Sequence, residues 1–469
     1  MITINIHPEP FDHFPMLSLL QGRNVNFASS LYVSKLKVKA GLDQHGNYSF
    51  NEFYDRGTGF QLNVNNVFGF HSSNSLDNVG EDLANLALNL SKKNSKNKNS
   101  VIDQSQLEEG LTSKNKLTID ISKEGHWSDN YKDEINSFLK DIEGLIIEHK
   151  NKMRFTLDIE AYFVQKRYQS TKSIDIQQEY SYSLLSVYVE SKNHTYPIKR
   201  NEIMGGIIKS DFEWQKVENR IESMISQLEQ LEVVSKPPSG EHNVLLSEDA
   251  VYSLIHETIG HGCEADQIVS NNSFLNNKMG FKVANSNLTI VDDPHIRNVG
   301  WGEYDDEGIK TQGTLLVDEG ILSSFLHDTK TAKIMNQTST GNARATSYLS
   351  PPEPRQSNIY IEPGDLSNEE LLEEVRNGLL IGPTLAASTS IYTGEFSIES
   401  QISFEIKNGE IVNILGPVTI TGNALESLNN ITSIGNNPEM IPAVCLKGDS
   451  LVYVGSLMPQ MALSKVRVY

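Results

Sequence analysis

A chain of 469 residues exceeds what one ordinary core accommodates and predicts two domains. Apolar residues make up 38% and charged residues 21%, with 17 Tyr and 17 Phe, which excludes a globally disordered chain. Asp and Glu number 60 against 40 Lys and Arg, and the resulting formal charge of -20 repels polyanions, so nucleic acid is not expected as the main partner. The two cysteines, Cys263 and Cys445, are too few for a disulfide framework and fit a reducing, cytoplasmic setting. The opening MITINIHPEPF has no basic segment followed by an apolar one, and no window is apolar enough to cross a bilayer, so no membrane insertion is expected.

Residues 31–71 alternate as strands do, with glycines where turns should fall. Asp77 to Leu90 carries apolar residues at helical spacing. The polar tract from Ser91 to Lys116 has almost nothing to bury and reads as a long exposed loop or insertion. Ile135, Phe138, Leu139, Ile142, Leu145 and Ile146 make one stripe of a second helix within Asn130 to Lys150. Strand patterns follow at Met153 to Tyr168 and Glu179 to Ser191, and a third helix at Asp211 to Glu232. Lys236-Pro237-Pro238-Ser239-Gly240 then ends a helix and stiffens the connection. This places a mixed α/β domain at 1–236 and a second domain at 237–469.

The second domain has the marks of an antiparallel sheet. VDEGI at Val317 to Ile321 and KNGEI at Lys407 to Ile411 each set a glycine turn between β-rich arms. One helix, Asn368 to Leu379, interrupts the strands, and Ile441 to Tyr469 reads as strand, turn, strand. The expected class is α+β, with antiparallel sheet dominating the C-terminal domain.

One segment carries chemistry: SEDAVYSLIHETIGHG, from Ser247 to Gly262. Ser247 is an N-cap, Glu248 and Asp249 suit the positive end of the helix dipole, and Ala250, Val251, Leu254, Ile255 and Ile259 form a buried stripe. His256 and His261 resemble the zinc-peptidase pattern H-E-x-x-H with one residue too many. Residues five apart on an α-helix diverge by about 140° and stand roughly 7.5 Å apart along the axis, so two imidazoles cannot reach one ion. A site using both must therefore break the helix, and Gly260 and Gly262 beside His261 supply the needed backbone freedom. A catalytic zinc takes a third protein ligand, for which Cys263, Glu264, Asp266 and Cys445 are all candidates by residue type. Glu257 is placed to take a proton from water beside the ion, which implies metal-assisted hydrolysis of an amide.

The wider segment VLLSEDAVYSLIHETIGHGCEAD resembles the core motif of the TldD/PmbA metallopeptidase family, also called modulator of DNA gyrase. WGEYDDEGIKTQGTLLVDEGILSSFLHD, STGNARATSY and CLKGDSLVYVGSLMP are similar to further family stretches in the same order, and RGTGFQLNVNNVFGFHSSN fits its N-terminal domain. Cys263 stands where the family usually has a bulky apolar residue, and Leu446 replaces the glycine after the C-terminal cysteine. Because the H-E-x-x-x-H pattern is intact, the chain resembles the TldD-type catalytic subunit rather than the motif-less PmbA (TldE) type.

The resemblance implies a zinc ion held by His256, His261 and Cys445, with Glu257 as general base. It implies a two-domain subunit that works as a homodimer or as a heterodimer with a TldE/PmbA-like partner and cleaves small or unfolded peptides in an enclosed chamber. The competing expectation is a non-catalytic scaffold subunit with a structural metal, against which the intact Glu257 speaks. Glu264 and Asp266 are expected to orient a histidine or fix the loop, Arg344 to meet a peptide carboxylate or a structural partner, and His327 to be a packed histidine.

Overall fold

In the computed structural model the described residues are 12–13, 17, 25–65, 67–75, 79–94, 116–120, 131–149, 151–191, 199–206, 214–230 and 235–469. They form an α+β architecture whose sheets divide along the sequence. The first sheet uses strands within 25–206 and runs Val67–Ser73, Tyr48–Val64, Val25–Leu42, Met153–Ser170, Asp175–Ser191 and Lys116–Asp120, with Lys199–Gly206 also paired to Asp175–Ser191. Its central strands are long, 18 residues each for Val25–Leu42 and Met153–Ser170. Two-residue periodicity puts Leu36, Val38, Ala40 and Leu42 on one face together with Leu157, Ile159, Leu185 and Val187. Helices Tyr131–Ile146 and Trp214–Gln230 cover that face with Ile135, Leu139, Ile142, Ile221, Met224 and Leu228. Each fully buried Leu or Ile adds about 2 kcal/mol of apolar transfer free energy, which holds these amphipathic helices down.

Strands from Gly240 onward build a nine-stranded and a six-stranded sheet. One runs Thr384–Thr389, Glu395–Ser400, Val418–Asn423, Met461–Val468, Gly240–Leu246, Asn377–Ile381, Ser403–Lys407 and Glu410–Leu415, with Ile431–Ile434 on Met461–Val468. The other runs Ile321–Leu322, Thr314–Asp318, Ile290–Asp292, Asn358–Ile361, Ser450–Met458 and Glu439–Lys447. The principal apolar core joins them around helix Glu248–Ile255, through Val251, Leu254, Ile255, Ile290, Leu316, Ile359, Leu379 and Leu463. Pairing is mostly antiparallel, as expected, but Gly240–Leu246 lies parallel to Asn377–Ile381 and Asn358–Ile361 parallel to Ser450–Met458. The parallel-paired stretches are mostly buried, the setting in which such pairing is usually found.

Three expectations need correction. The expected helix at Asn368 to Leu379 ends at Val375, because Arg376 turns to φ 57° and Asn377–Ile381 leaves as a strand in the middle of the large sheet. The tract from Ser91 to Lys116 is not one loop: Ser91 to Asn94 complete helix Val79–Asn94 and Lys116 opens a strand, while the rest lies outside the described residues. The C-terminal segment holds three strands, Glu439–Lys447, Ser450–Met458 and Met461–Val468. The Asn408-Gly409 turn has both residues at positive φ, 52° and 84°, as a tight hairpin needs.

Candidate metal centre

Strand Gly240–Leu246 runs directly into helix Glu248–Ile255, and Ser247 caps it by accepting from the Ala250 N–H. Such a cap is worth about 1 kcal/mol. The helix does not break at the histidines. It widens into a π-helix over His256–Gly260, in which the His261 N–H bonds to the His256 carbonyl, and the Cys263 N–H then returns to the Ile259 carbonyl. A π-turn places residues five apart one turn above each other, so the two imidazoles face the same side. Their ring centroids are 4.9 Å apart with planes at 74°. The expected break is thus a change of helical register, and neither Gly260 nor Gly262 has the positive φ that a break would require. These glycines serve space instead: a Cβ on Gly260 would collide with the Gln356 side chain, and one on Gly262 would press on Leu275 and Phe274.

Cys445 arrives from the other side, on the edge strand Glu439–Lys447, with its side chain turned inward and its neighbours Val444 and Leu446 exposed. The ligand atoms of His256, His261 and Cys445 all lie within 4.8 Å of one another, and all three residues are buried. Cys445 Sγ stands 3.3 Å from His261 Nε2. Tetrahedral ligands at zinc distances stand about 3.4 Å apart, so this pair fits such an ion. His256 Nδ1 is buried with no hydrogen-bond partner among the described residues, another sign that this donor set is arranged for something beyond internal hydrogen bonding. Two imidazoles and a thiol are the donors that zinc prefers.

The surroundings favour the thiolate at Cys445, whereas at His261 burial lowers but Glu264 and Cys445 outweigh it and raise the imidazole above its ordinary value. Burial alone raises the Cys445 thiol, but the charge and hydrogen bonds of the two histidines outweigh it and bring it down to about 5. His261 Nδ1 contacts Glu264 Oε2 at 3.0 Å, leaving Nε2 toward Cys445. Burial opposes ionisation of Glu264, yet His261, Lys447 and Arg355 together hold it down at about 2. Lys447 reaches Glu264 at 3.2 Å and Asp266 at 3.0 Å, so Asp266, in the first turn of the short helix Ala265–Val269, shares this lysine with the acid. Cys263 packs into the apolar core, where burial pushes its thiol up, and its sulfur is not among the clustered ligand atoms.

Glu257 is half-buried and lines a cleft of about 740 Å³ shared with His256, Tyr252, Asp249, Thr384, Leu385, Ala443 and Val444. Thr384–Thr389 and Glu439–Lys447, each the outermost strand of its sheet, both contribute to the cleft wall. His327 is a packed histidine, with Nδ1 3.2 Å from Thr331 Oγ1. Arg344 donates to the carbonyls of Gln356 and Tyr453, 2.6 Å each, so its guanidinium serves the fold. Two residues escaped the sequence reading, Arg355 and Gln356. Arg355 is 0% exposed, an environment that a charged residue enters only when paired, but nothing in its local sequence signals that burial.

Two imidazoles and a thiol brought together in a buried cluster make the C-terminal half a candidate metal-binding domain. Residues 239–469 match the family model of the PmbA/TldA metallopeptidase C-terminal domain. That half of the chain carries the C-terminal domain of the PmbA/TldD family. It is 36% identical over 234 residues to a metalloprotease of Methanothermobacter thermautotrophicus, covering 50% of this chain and 51% of that one. It is 29% identical over 360 residues to a zinc metalloprotease TldD homolog of Saccharolobus solfataricus, covering 75% and 78%. Against several curated relatives the chain spans about half their length. The fold matches a Thermotoga maritima protein described as a modulator of a DNA gyrase, with TM-score 0.79 at 20% identity over 97% of this chain and 98% of that one. It also matches TldE from Thermococcus kodakarensis, with TM-score 0.73 at 16% identity over 97% and 99%.

Proposed function

We propose that this chain is a zinc-dependent peptidase of the TldD type, with His256, His261 and Cys445 holding the ion and Glu257 acting as general base. The observation that carries the reading is the convergence of two imidazoles and one thiol, within 4.8 Å of one another, beside an acid that lines a cleft. Zinc bound there supplies Lewis acidity that makes water a competent nucleophile near neutral pH. Glu257, adjacent to His256 and facing the cleft, accepts the proton from that water and returns it to the departing amine. Glu264 fixes the His261 ring so that Nε2 stays aimed at the site.

The cleft suits an extended peptide. The edges of Thr384–Thr389 and Glu439–Lys447, outermost in their sheets among the described residues, offer main-chain groups that would hold small or unfolded peptides with little side-chain preference. A peptide-bound structure with side-chain pockets only, and no main-chain pairing, would remove this step. We further assign residues 1–236 and 237–469 to two domains, a cytoplasmic location, and a dimer formed with an identical chain or with a TldE/PmbA-like subunit. The fold match to a TldE protein supports the partner assignment. No helix among the described residues is long and apolar enough to cross a membrane.

Glu257→Gln separates enzyme from scaffold. Zinc content should stay at the wild-type level while hydrolysis of an unstructured peptide falls at least about a hundredfold, the usual scale for losing a general base. Equal hydrolysis by both proteins would take Glu257 out of the mechanism, and a zinc-loaded wild type that cleaves no peptide would favour the scaffold.

A further inference from the structure

Each of the three clustered ligands is supported by a different residue. Glu264 supports His261, as described above. The other two ligands rest on consecutive residues just before the strand Asn358–Ile361, Arg355 and Gln356. Neighbouring side chains in extended backbone point to opposite sides, and this pair uses both.

On one side, Arg355 Nη2 donates to Cys445 Sγ at 3.0 Å and to the Cys445 carbonyl at 2.9 Å. Its Nη1 donates to Ser450 Oγ at 2.8 Å and to the Ser450 carbonyl at 3.1 Å. Cys445 and Ser450 lie on the two arms of one hairpin, so a single planar fork fixes the hairpin and the sulfur together. Nε faces Glu264 Oε1 at 3.6 Å without a hydrogen bond, which sets the guanidinium between the sulfur and the acid behind His261. Burying a guanidinium costs several kcal/mol before pairing. Lys447 is shared among Glu264, Asp266 and Glu353, and Arg355 Nη1 stands 3.5 Å from Glu353, so the guanidinium helps balance these carboxylates while its fork holds the hairpin.

On the other side, Gln356 is 0% exposed and its amide lies flat against Gly260. Nε2 donates to the His256 carbonyl at 3.3 Å, the same oxygen that accepts the π-turn bond from the His261 N–H. That carbonyl is the point at which the helix changes register. Oε1 has no partner, so the amide is kept for its donor and its shape.

We propose that Arg355 and Gln356 are the positioning pair of the metal centre: Arg355 aims the Cys445 sulfur, and Gln356 locks the π-turn that brings His256 and His261 together. This rests on the zinc reading of those three residues. Neither residue touches the cleft, so both act through the ligands.

The test uses full-length protein stripped of metal, with Arg355→Lys, which keeps the charge but loses the fork, and Gln356→Met, which keeps length and volume but loses the donor. Zinc affinity is measured by competition with a chromophoric chelator, and the sulfur-to-metal charge-transfer band is recorded after loading with Co²⁺. Each variant should bind zinc about 10- to 100-fold more weakly, the usual scale for an outer partner of a ligand. The band should shift in Arg355→Lys, and the loss of affinity should persist at temperatures where both metal-free variants remain fully folded. Wild-type affinity and an unchanged band in both variants overturn the proposal. A loss of affinity that merely tracks a drop in metal-free melting temperature also overturns it, since packing would then suffice. If wild type itself takes up no zinc, the metal reading fails first, and that result is distinct from either outcome.

Discussion

Gly260 and Gln356 are packed so closely that a Cβ on Gly260 would lie 2.0 Å from Gln356 Oε1 and 2.3 Å from its Cδ. No real Cβ tolerates such contacts, and Gly260 lies inside the π-turn between the two histidines. The register of the helix and the shape of a distant side chain therefore specify each other.

Gly260→Ala should consequently destabilise the fold by about 1 to 3 kcal/mol, the range for overpacking a well-filled site. Gln356→Ala removes the obstructing amide, so the double variant should be closer to Gln356→Ala than the sum of single effects allows. Urea unfolding of the four proteins measures this coupling. Strict additivity would mean that the two residues do not share the space.

Glu264→Gln keeps the shape at His261 but removes the buried charge that the imidazole leans on. Zinc affinity should drop by about 10- to 100-fold. Because Lys447 and Arg355 would then face a neutral amide, the metal-free protein should also lose stability, by about 3 kcal/mol. A chelator titration alongside thermal melting reads both effects, and wild-type values for the two would contradict this placement of Glu264.

Glu307 supplies a pH dependence away from the centre. Burial and then the charge of Asp328 raise its carboxyl to about 7, against an ordinary value of 4.5. The folded state thus holds this proton more tightly than the unfolded chain. Its contribution is fully present below pH 4.5, declines as pH rises, and is gone above about 7. Glu307→Gln keeps an acceptor for the Thr329 N–H, so relative to wild type it should gain on the order of 3 kcal/mol between pH 4.5 and pH 8. Parallel stability curves for the two proteins over that interval would exclude the effect.

Much of the fold was legible because it follows from local patterning. Ser247 and the stripe through Val251, Leu254 and Ile255 mark the site helix, and Asn408-Gly409 marks a hairpin whose positive φ angles only such residues adopt cheaply. The helix after Asn368 was drawn too long because Leu379 fits an apolar helical stripe, whereas a parallel pairing with Val244 claims it for the sheet. Long-range pairing overrides a short periodic signal.

The candidate site was legible in its parts and not in its geometry. Residue types and the family resemblance pointed to His256, His261, Cys445 and Glu257. Five-residue spacing on an α-helix left only a break as the solution, because nothing in HETIGHG announces i to i+5 bonding. The bond that supports that register comes from Gln356, 100 residues from His256, and the fork on Cys445 comes from Arg355, 90 residues away. Neither contact has a local pattern to read.

Metal analysis of purified wild type beside Cys445→Ala and Cys263→Ala weighs most heavily on this account. A single equivalent of zinc in wild type and in Cys263→Ala, with loss of the ion in Cys445→Ala, is the predicted result. Full zinc retention by Cys445→Ala, or its loss from Cys263→Ala alone, would contradict the centre described here.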